Sequence, residues 1–566
     1  MTQNTTESSA GYFGIASPVS APFPARISML EYLIELLCRP SIFLIVVTAL
    51  VASQGINRGE FFFHTDEMYH AMNGVFVRDF VVDLPLHHPI QYAYEYYAKY
   101  PAVALPHWPP LFYILEGGAF LLLGISPWVS RLVVLGFALF AVYFWYRIAV
   151  PLGPRYRAFL SALMLSCLPY ILIYERITML EIPALAMCLG AIFFWRTFLE
   201  TERRRDLWAL AGFVVGGFLT SQTMIFVVFF VIADLLVERR FRLLKRIDVW
   251  LALLVSGAAI LPWYLLTQRT ERVPLGTMVG RVSGYGFKHL AQSVTYTYYP
   301  IELYHKLGPL LLGVSCVGLI IAFIRRSRSD RFLLVWIFSA YACFVLISEK
   351  DPRHTMLWIP PLLYLALTAL ETLLVRRTFA LVISSALALC LIANALLSQR
   401  PMITGAAEAA DYVLSLPESD LVYYQGVLHG DFIFYVRKLD PQKSHFVARE
   451  KQVVVLGRER RPILHSTQEV QEFFQNWGIR YAVVEDADPF PGFGPVRELL
   501  KSDQFELLRT FPVVTNQADV RVHQIQVFRY RGELHRTDRN VMIPMMTLRH
   551  AIFVNLARLA GRPWPN

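Results

Sequence analysis

Charge is scarce in this 566-residue chain: 17% of its residues are Asp, Glu, Lys or Arg, against 55% hydrophobic. With a mean hydropathy of +0.43, the composition excludes an ordinary soluble protein and fits a polytopic membrane protein. Nucleic-acid motifs are missing as well: there is no zinc finger, helix-turn-helix or single-strand-binding pattern. The net charge of +10 sits in short basic clusters between apolar runs. That distribution is a topology signal and leaves out nucleic acid as a partner. Cysteine is sparse, and all six residues (Cys38, Cys167, Cys188, Cys316, Cys343, Cys390) lie in or beside apolar runs. Structural disulfides and metal knuckles are therefore not expected, and the thiols read as small buried hydrophobes. The first 25 residues lack the basic flank and short apolar core of a cleaved signal peptide. They read as a disordered cytoplasmic tail, residues 1–28, ahead of an uncleaved anchor at 39–56. Internal repeats are absent too, which argues against transporter folds built from repeats.

Long apolar runs are what the chain has in abundance. A spanning helix needs about 20 apolar residues. Candidate runs lie near 39–56, 109–125, 127–147, 157–174, 179–199, 207–221, 223–237, 249–267, 306–325, 331–348, 355–373 and 378–397. Basic clusters punctuate every second connection: Arg147/Arg155/Arg157, Arg203 to Arg205, Arg239 to Arg246, Arg325 to Arg331, and Arg376-Arg377. The positive-inside rule assigns these to the cytoplasm. Residues 57–126, 174–181, the short turn near 221, 268–305, 349–354 and everything after about 398 then face outward. Parity requires that 109–125, which opens with Pro109-Pro110, lie along the interface or re-enter. The expectation is eleven crossings, N-terminus inside and C-terminus outside. If 207–221 and 223–237 formed one tilted helix across Ser221-Gln222-Thr223, every later segment would change sides.

Beyond residue 400 the composition becomes polar, and an outward-facing α/β domain is expected over 401–566. Strands are predicted at Asp420–Tyr424, Gln452–Leu456, Arg480–Glu485 and Val520–Tyr530, and a helix at Thr467–Trp477. Over Met545–Leu559, helical spacing groups Leu548, Ile552, Leu556 and Leu559 on one face. That predicts a helix on the membrane surface or packed against the domain.

The unusual polar residues all fall on the outward side. The first outer loop carries Asp66, Glu67, Arg78-Asp79, His87-His88, Glu95, Lys99 and His107-Trp108-Pro109-Pro110. The second carries Glu175-Arg176 and Glu181, and the fifth Glu349-Lys350-Asp351 and Arg353-His354. Acids and bases converging on one membrane face suit a charged, lipid-linked substrate, since such groups are costly near lipid. Plainer readings stand beside this one. Asp66 is a natural N-cap for a helix starting near Met68, and Glu175-Arg176 or Lys350/Asp351/Arg353 can be local ion pairs. His64, His70, His87, His88 and His107 with Asp66 have no strong ligand spacing. The six tyrosines from Tyr69 to Tyr100 fit an interfacial aromatic belt.

The strip Asp66-Glu67-x-Tyr69 after the first helix resembles the first-loop motif of polyprenyl-phosphate-dependent glycosyltransferases of the GT-C fold. The resemblance is to the family-39 group, which includes protein O-mannosyltransferases and lipid A aminoarabinose transferases. Further matches follow in order across residues 40–400: Trp108 to Tyr113, then Arg176-x-x-Met179-Leu180-Glu181-x-Pro183, then Arg353-His354 before Ile359-Pro360-Pro361-Leu362. Three positions depart from the pattern: Glu181 stands for Asp, His354 for Tyr, and Gln222 where the family often has Lys.

The resemblance implies a transmembrane bundle (29–400) with juxtamembrane helices in the first outer loop. It implies inverting transfer of a sugar from a polyprenyl-phosphate carrier to an extracytoplasmic acceptor, glycolipid, protein or glycan. Asp66 would accept the acceptor's proton or orient its oxygen, with Glu181 as second acid and Glu67 either catalytic or structural. Arg353, Lys350, Lys99 and Arg176, with His107 and His354, would bind the substrates and balance the leaving phosphate. No metal or other cofactor is expected beyond the carrier-linked donor, and the setting would be a bacterial inner membrane. The alternatives are a lipid-linked-sugar transporter or flippase, and a non-catalytic GT-C relative acting as an assembly subunit.

Overall fold

A computed structural model of the chain describes residues 39–61, 66–270, 286–374, 376–455, 461–487, 493–544, 548 and 550–562. Contacts divide it into a short N-terminal unit, Met1–Phe43, and a second unit, Leu44–Asn566, to which the remainder of the description applies. The tail expected over 1–28 and His64 lie outside the described residues.

Each apolar run forms helix. Among the described residues, six helices are long and apolar enough to cross a membrane, from Pro127–Leu152 to Arg377–Leu397. The pair Arg155–Cys167 and Pro169–Glu175, bent by 62°, makes a seventh if counted as one span. Pro40–Ala52, Leu111–Leu123, Gln222–Val237 and Ile359–Leu373 are shorter apolar helices. The chain is a multi-pass membrane protein. Leu111–Leu123, which parity singles out, has 13 residues and so rises only about 20 Å. The region 207–237 is two helices: Arg204–Phe218 ends, a short turn follows, and Ile225–Val237 begins. Gly217 lets the Met224 side chain pack directly on the first of them, since a Cβ there would overlap it.

The region beyond residue 400 is an α/β domain. Its five-stranded sheet runs Phe446–Arg449, Leu421–Gln425, Tyr481–Glu485, Gln524–Tyr530, Phe505–Pro512. The first three strands are parallel and the last two antiparallel. All four residues of Phe446–Arg449 and all five of Leu421–Gln425 and Tyr481–Glu485 are buried. Successive side chains point to opposite faces, so these strands are covered on both and show no apolar–polar alternation. The predicted helix Thr467–Trp477 forms over those residues, with Ser466 accepting a hydrogen bond from the Glu469 amide.

The final segment departs from the expected amphipathic helix. Ile552–Asn555 is a strand paired antiparallel with Asn540–Ile543, and among the described residues of the segment only Leu556–Leu559 is helical. The four apolar residues are all buried, so their periodicity reports core packing rather than helix or lipid contact. Met545 to Thr547 lie outside the described residues.

The first outer loop and the α/β domain share one core. Phe61, Met72, Val75, Tyr92, Tyr96, Tyr97 and Tyr100 pack in the same cluster as Phe432, Tyr424 and Val483. The tyrosine-rich stretch is therefore a core element, not an interfacial belt: Tyr96 and Tyr100 are wholly buried. The polar contacts across this junction are specific. Glu60 accepts from the amides of Gly405, Ala406 and Ala407 at 2.9–3.0 Å, capping the N-terminus of helix Ala406–Leu414, where a carboxylate is favoured. Arg437 clasps Asp79 through two bonds of 2.7 and 2.8 Å, and Tyr96 donates to the same carboxylate at 2.6 Å. Burial works against the Asp79 charge, but the Arg437 charge and hydrogen bonds outweigh it and hold its pKa below the ordinary value. Gly430 lies against Met68, where a Cβ would overlap the side chain.

Removing one member of a buried pair strands the other's charge, at about 3–5 kcal/mol. Asp79→Ala is expected to lower the thermal midpoint of the detergent-solubilised protein clearly and to expose the α/β domain to protease, while a solvent-exposed control such as Asp519→Ala does neither.

Candidate active site

Six chain segments meet at a cavity of about 400 Å³. Helix Glu67–Asp83 begins there and brings Asp66 and His70. The stretch before helix Leu111–Leu123 brings His107, Trp108 and Pro109. Helix Glu181–Thr201 brings Glu181, and the loop before Ile359–Leu373 brings Glu349, Asp351, Arg353 and His354. Ser221, Gln222 and Thr223, in the break between two helices, and Tyr264 complete the polar lining. A bond of 2.8 Å from the Leu111 amide to the Leu219 carbonyl ties that break to the Trp108-Pro109-Pro110 segment.

Arg353 is the hub. Its Nη1 lies 3.2 Å from Asp66 Oδ2 and 3.0 Å from Glu181 Oε1. Its Nη2 and Nε reach Asp351 at 2.6 and 2.8 Å, and its own amide donates to Asp351 Oδ1 at 2.8 Å. Burial opposes the Arg353 charge, yet the Asp351 hydrogen bond and the Glu181, Asp351 and Asp66 charges raise its pKa above the ordinary value. For Asp351 burial pulls upward, and the Arg353 hydrogen bonds and charge overcome it, leaving its pKa below the ordinary value. Asp66 occupies the N-cap position of Glu67–Asp83 but makes no capping bond with its side chain. Capping does not account for it.

Two reciprocal indole bonds hold the Arg353 turn. Trp336 Nε1 donates to the Leu357 carbonyl at 2.8 Å, and Trp358 Nε1 donates to the Ile337 carbonyl at 3.1 Å. Tyr170 donates to the Pro352 carbonyl at 3.0 Å. His354 stacks on Phe344, ring centroids 4.4 Å apart, and its Nδ1 lies 3.1 Å from Tyr299 Oη. Burial pushes the His354 pKa down to about 4. On the other wall His70 Nδ1 lies 2.7 Å from Tyr113 Oη, with its ring against Trp108.

Of the residues given a catalytic or substrate-binding part by the sequence, Asp66, Glu181, Arg353, His354 and His107 line this cavity. Glu67, Lys350, Arg176 and Lys99 sit elsewhere. Glu67 is fully buried and accepts from the Thr178 amide at 2.8 Å. Lys350 donates to the carbonyls of Phe344, Val345 and Ile347 at 2.5–2.9 Å, closing the end of helix Arg328–Leu346; burial lowers its pKa to about 8. Arg176 joins three segments by donating to the carbonyls of Val51, Ala395 and Ser398. Lys99 donates to the Leu559 carbonyl at 2.7 Å within the α/β junction, where burial lowers its pKa to about 7. His87 and His88 are exposed. Among the described residues no group of three or more His, Cys, Asp or Glu is arranged to hold a metal ion.

The Asp351–Arg353 ion pair offered by the sequence as a plain local reading is present, but sequence reasoning gives no part in handling substrate to His70, Tyr264 or the Ser221–Thr223 turn. Glu181 Oε2 and Gln222 Oε1 are buried atoms with no hydrogen-bond partner. Only the turn carries a local signal, the break between two apolar runs.

Comparison with solved structures defines the fold. The structure of ArnT from Cupriavidus metallidurans bound to undecaprenyl phosphate is similar over 88% of this chain and 99% of its own, with TM-score 0.58 and 14% identity. The apo structure of the same protein matches over 86% and 97%, with TM-score 0.57 and 14% identity. An apo oligosaccharyltransferase from Archaeoglobus fulgidus matches over 86% and 76%, with TM-score 0.53 and 12% identity. The fold is that of the GT-C glycosyltransferases. Within it, residues 107–265 match the sequence model of the dolichyl-phosphate-mannose-protein mannosyltransferase family, a segment that carries His107, Trp108, Glu181, Gln222 and Tyr264 of the cavity. No curated protein matches the chain in sequence.

The depressed His354 pKa sets a pH dependence. Between pH 6.5 and about 4 the unfolded chain binds a proton that the folded His354 does not, so stability falls as pH falls through that window. His354→Gln is expected to lose less thermal stability than wild type between pH 7 and pH 5, as measured by unfolding scans in detergent.

Proposed function

We propose that this chain is an integral-membrane inverting glycosyltransferase that moves a sugar from a polyprenyl-phosphate carrier to an acceptor hydroxyl on the extracytoplasmic side of a bacterial inner membrane. The observation that carries this reading is the single guanidinium, Arg353, held against Asp66 and Glu181 in one cavity where helices begin and end. The GT-C fold and the family match over residues 107–265 support it. So does the basic-cluster pattern, which puts this end of the helices outside.

The chemistry follows from the groups present. The acceptor oxygen forms a bond to the anomeric carbon as the bond from that carbon to the phosphate oxygen breaks, and its proton passes to Asp66. The bonding electrons leave with the phosphate, where negative charge grows. Arg353 is the one residue among the four expected cations that lines the cavity, and its planar fork suits a phosphate. Glu181, on the facing helix, orients the acceptor or the sugar through the oxygen that has no protein partner. Gln222 offers a neutral amide in place of the family's lysine, so the Ser221–Thr223 turn reads hydroxyl groups rather than phosphate. In this reading Arg353 supplies the counter-charge and no step needs a metal.

Asp66→Asn is expected to reduce sugar transfer by at least about a hundredfold with insertion and thermal midpoint unchanged. The readout is mass spectrometry of surface glycolipids and glycoproteins, where one sugar should vanish from one acceptor and name both substrates. Wild-type transfer by this variant would defeat the mechanism.

A further inference from the structure

Arg353 is pulled in two directions. Its Nη1 is shared by Asp66 and Glu181, at 3.2 and 3.0 Å, while Asp351 takes Nε and Nη2. Every nitrogen of the fork thus meets a carboxylate and four of its five N–H groups are taken, so a phosphate can engage this guanidinium through two of them only by displacing a carboxylate. The three carboxylates are not equivalent. Asp351 binds two nitrogens of the fork and also the Arg353 amide, and it lies two residues away on the same turn. Asp66 and Glu181 each hold only Nη1, from separate helices. The Nη1 contacts are the longer pair and the ones to give way, since Asp66 and Glu181 each hold a single N–H at 3.2 and 3.0 Å whereas Asp351 holds two nitrogens at 2.6 and 2.8 Å.

Resting on the transferase reading, we propose that Arg353 is a carrier-operated latch: the lipid phosphate competes with Asp66 and Glu181 for Nη1, and its arrival releases Asp66 to act on the acceptor. Two consequences follow. Binding is ordered, carrier first, because the carboxylate that must take the acceptor's proton is otherwise engaged with a guanidinium. The catalytic carboxylates also act against carrier affinity, so removing them strengthens carrier binding even as it removes activity. A site whose acids simply helped to position the donor would show the reverse.

Glu349 supplies the control. It lines the same cavity, and no contact joins it to Arg353 among the ion pairs that hold the guanidinium. Glu349→Gln therefore removes one negative charge without touching the latch. The experiment measures equilibrium binding of undecaprenyl phosphate to the detergent-solubilised full chain, with undecaprenol as the phosphate-free reference. Wild type is compared with Asp66→Asn, Glu181→Gln and Glu349→Gln, each first checked for an unchanged thermal midpoint.

The latch predicts about tenfold tighter binding for Asp66→Asn and for Glu181→Gln, the scale of one charge-assisted hydrogen bond freed, and less than twofold change for Glu349→Gln. Equal or weaker binding in both latch variants overturns the proposal while leaving the transferase reading in place. An equal gain in Glu349→Gln overturns it as well, because the effect is then net charge and not competition for Arg353. If no variant prefers undecaprenyl phosphate over undecaprenol, the carrier reading itself fails and the latch with it.

Discussion

The arrangement of the cavity depends on one guanidinium. Asp66, Glu181 and Asp351 come from a juxtamembrane helix, a membrane span and an interhelical loop, and all three converge on Arg353. Three carboxylates at such separations, partly withdrawn from water, would repel one another strongly without a shared cation. Arg353 therefore has a structural and a chemical part together: it permits the carboxylates to gather, and it is the group suited to an anionic leaving group. Its turn is correspondingly fixed, by the crossed indole bonds of Trp336 and Trp358 and by the Tyr170 hydroxyl.

A second constraint sets where Asp66 stands. Helix Glu67–Asp83 is gripped along its length by the α/β domain, through Gly430 against Met68 near its start and Arg437 on Asp79 near its end. Between them, Arg449 donates to Tyr69, whose hydroxyl also meets His429 and whose ring lies beside Trp108 of the cavity wall. The α/β domain is thus a bracket for the first residue of the site. This explains why so many charged groups of the first outer loop are buried: Lys99 and Asp79 face a folded domain, not solvent or lipid headgroups. It also explains why Lys99 does not join the cavity.

Much of this is legible in the order of the residues. Period and length of the apolar runs locate the helices of the membrane region, and alternation of strand-like and helical segments points to an α/β domain after residue 400. Glu181 and Arg353 are reachable because each stands at the end of an apolar run, where a charge is costly and needs a reason, and Asp66 through the acidic strip Asp66-Glu67-x-Tyr69 in the first outer loop. The same argument misassigns Lys350 and Arg176. Both also stand at run ends, but their donors satisfy helix-end and loop carbonyls, a use of cations that sequence position cannot separate from ligand binding. The strand Phe446–Arg449 and the hairpin ending at Asn555 carry no comparable signal. Phe446–Arg449 is buried on both sides, and a short buried strand has no periodicity of its own; the hairpin strands have four residues each, too few for their alternation to stand out.

What the amino-acid sequence determined alone was the membrane class, the positions of the helices and the short set of ionisable residues at their ends. These follow from local quantities: the transfer cost of each side chain and the repeat at which apolar residues recur. Tertiary structure decided which of those residues share a cavity and which are tied to backbone. It also decided that Asp66 is not a helix cap and that the tyrosine stretch is core. The reason is range: Arg353 lies 287 positions from Asp66, and no local rule records which distant segment will supply the partner of a buried charge.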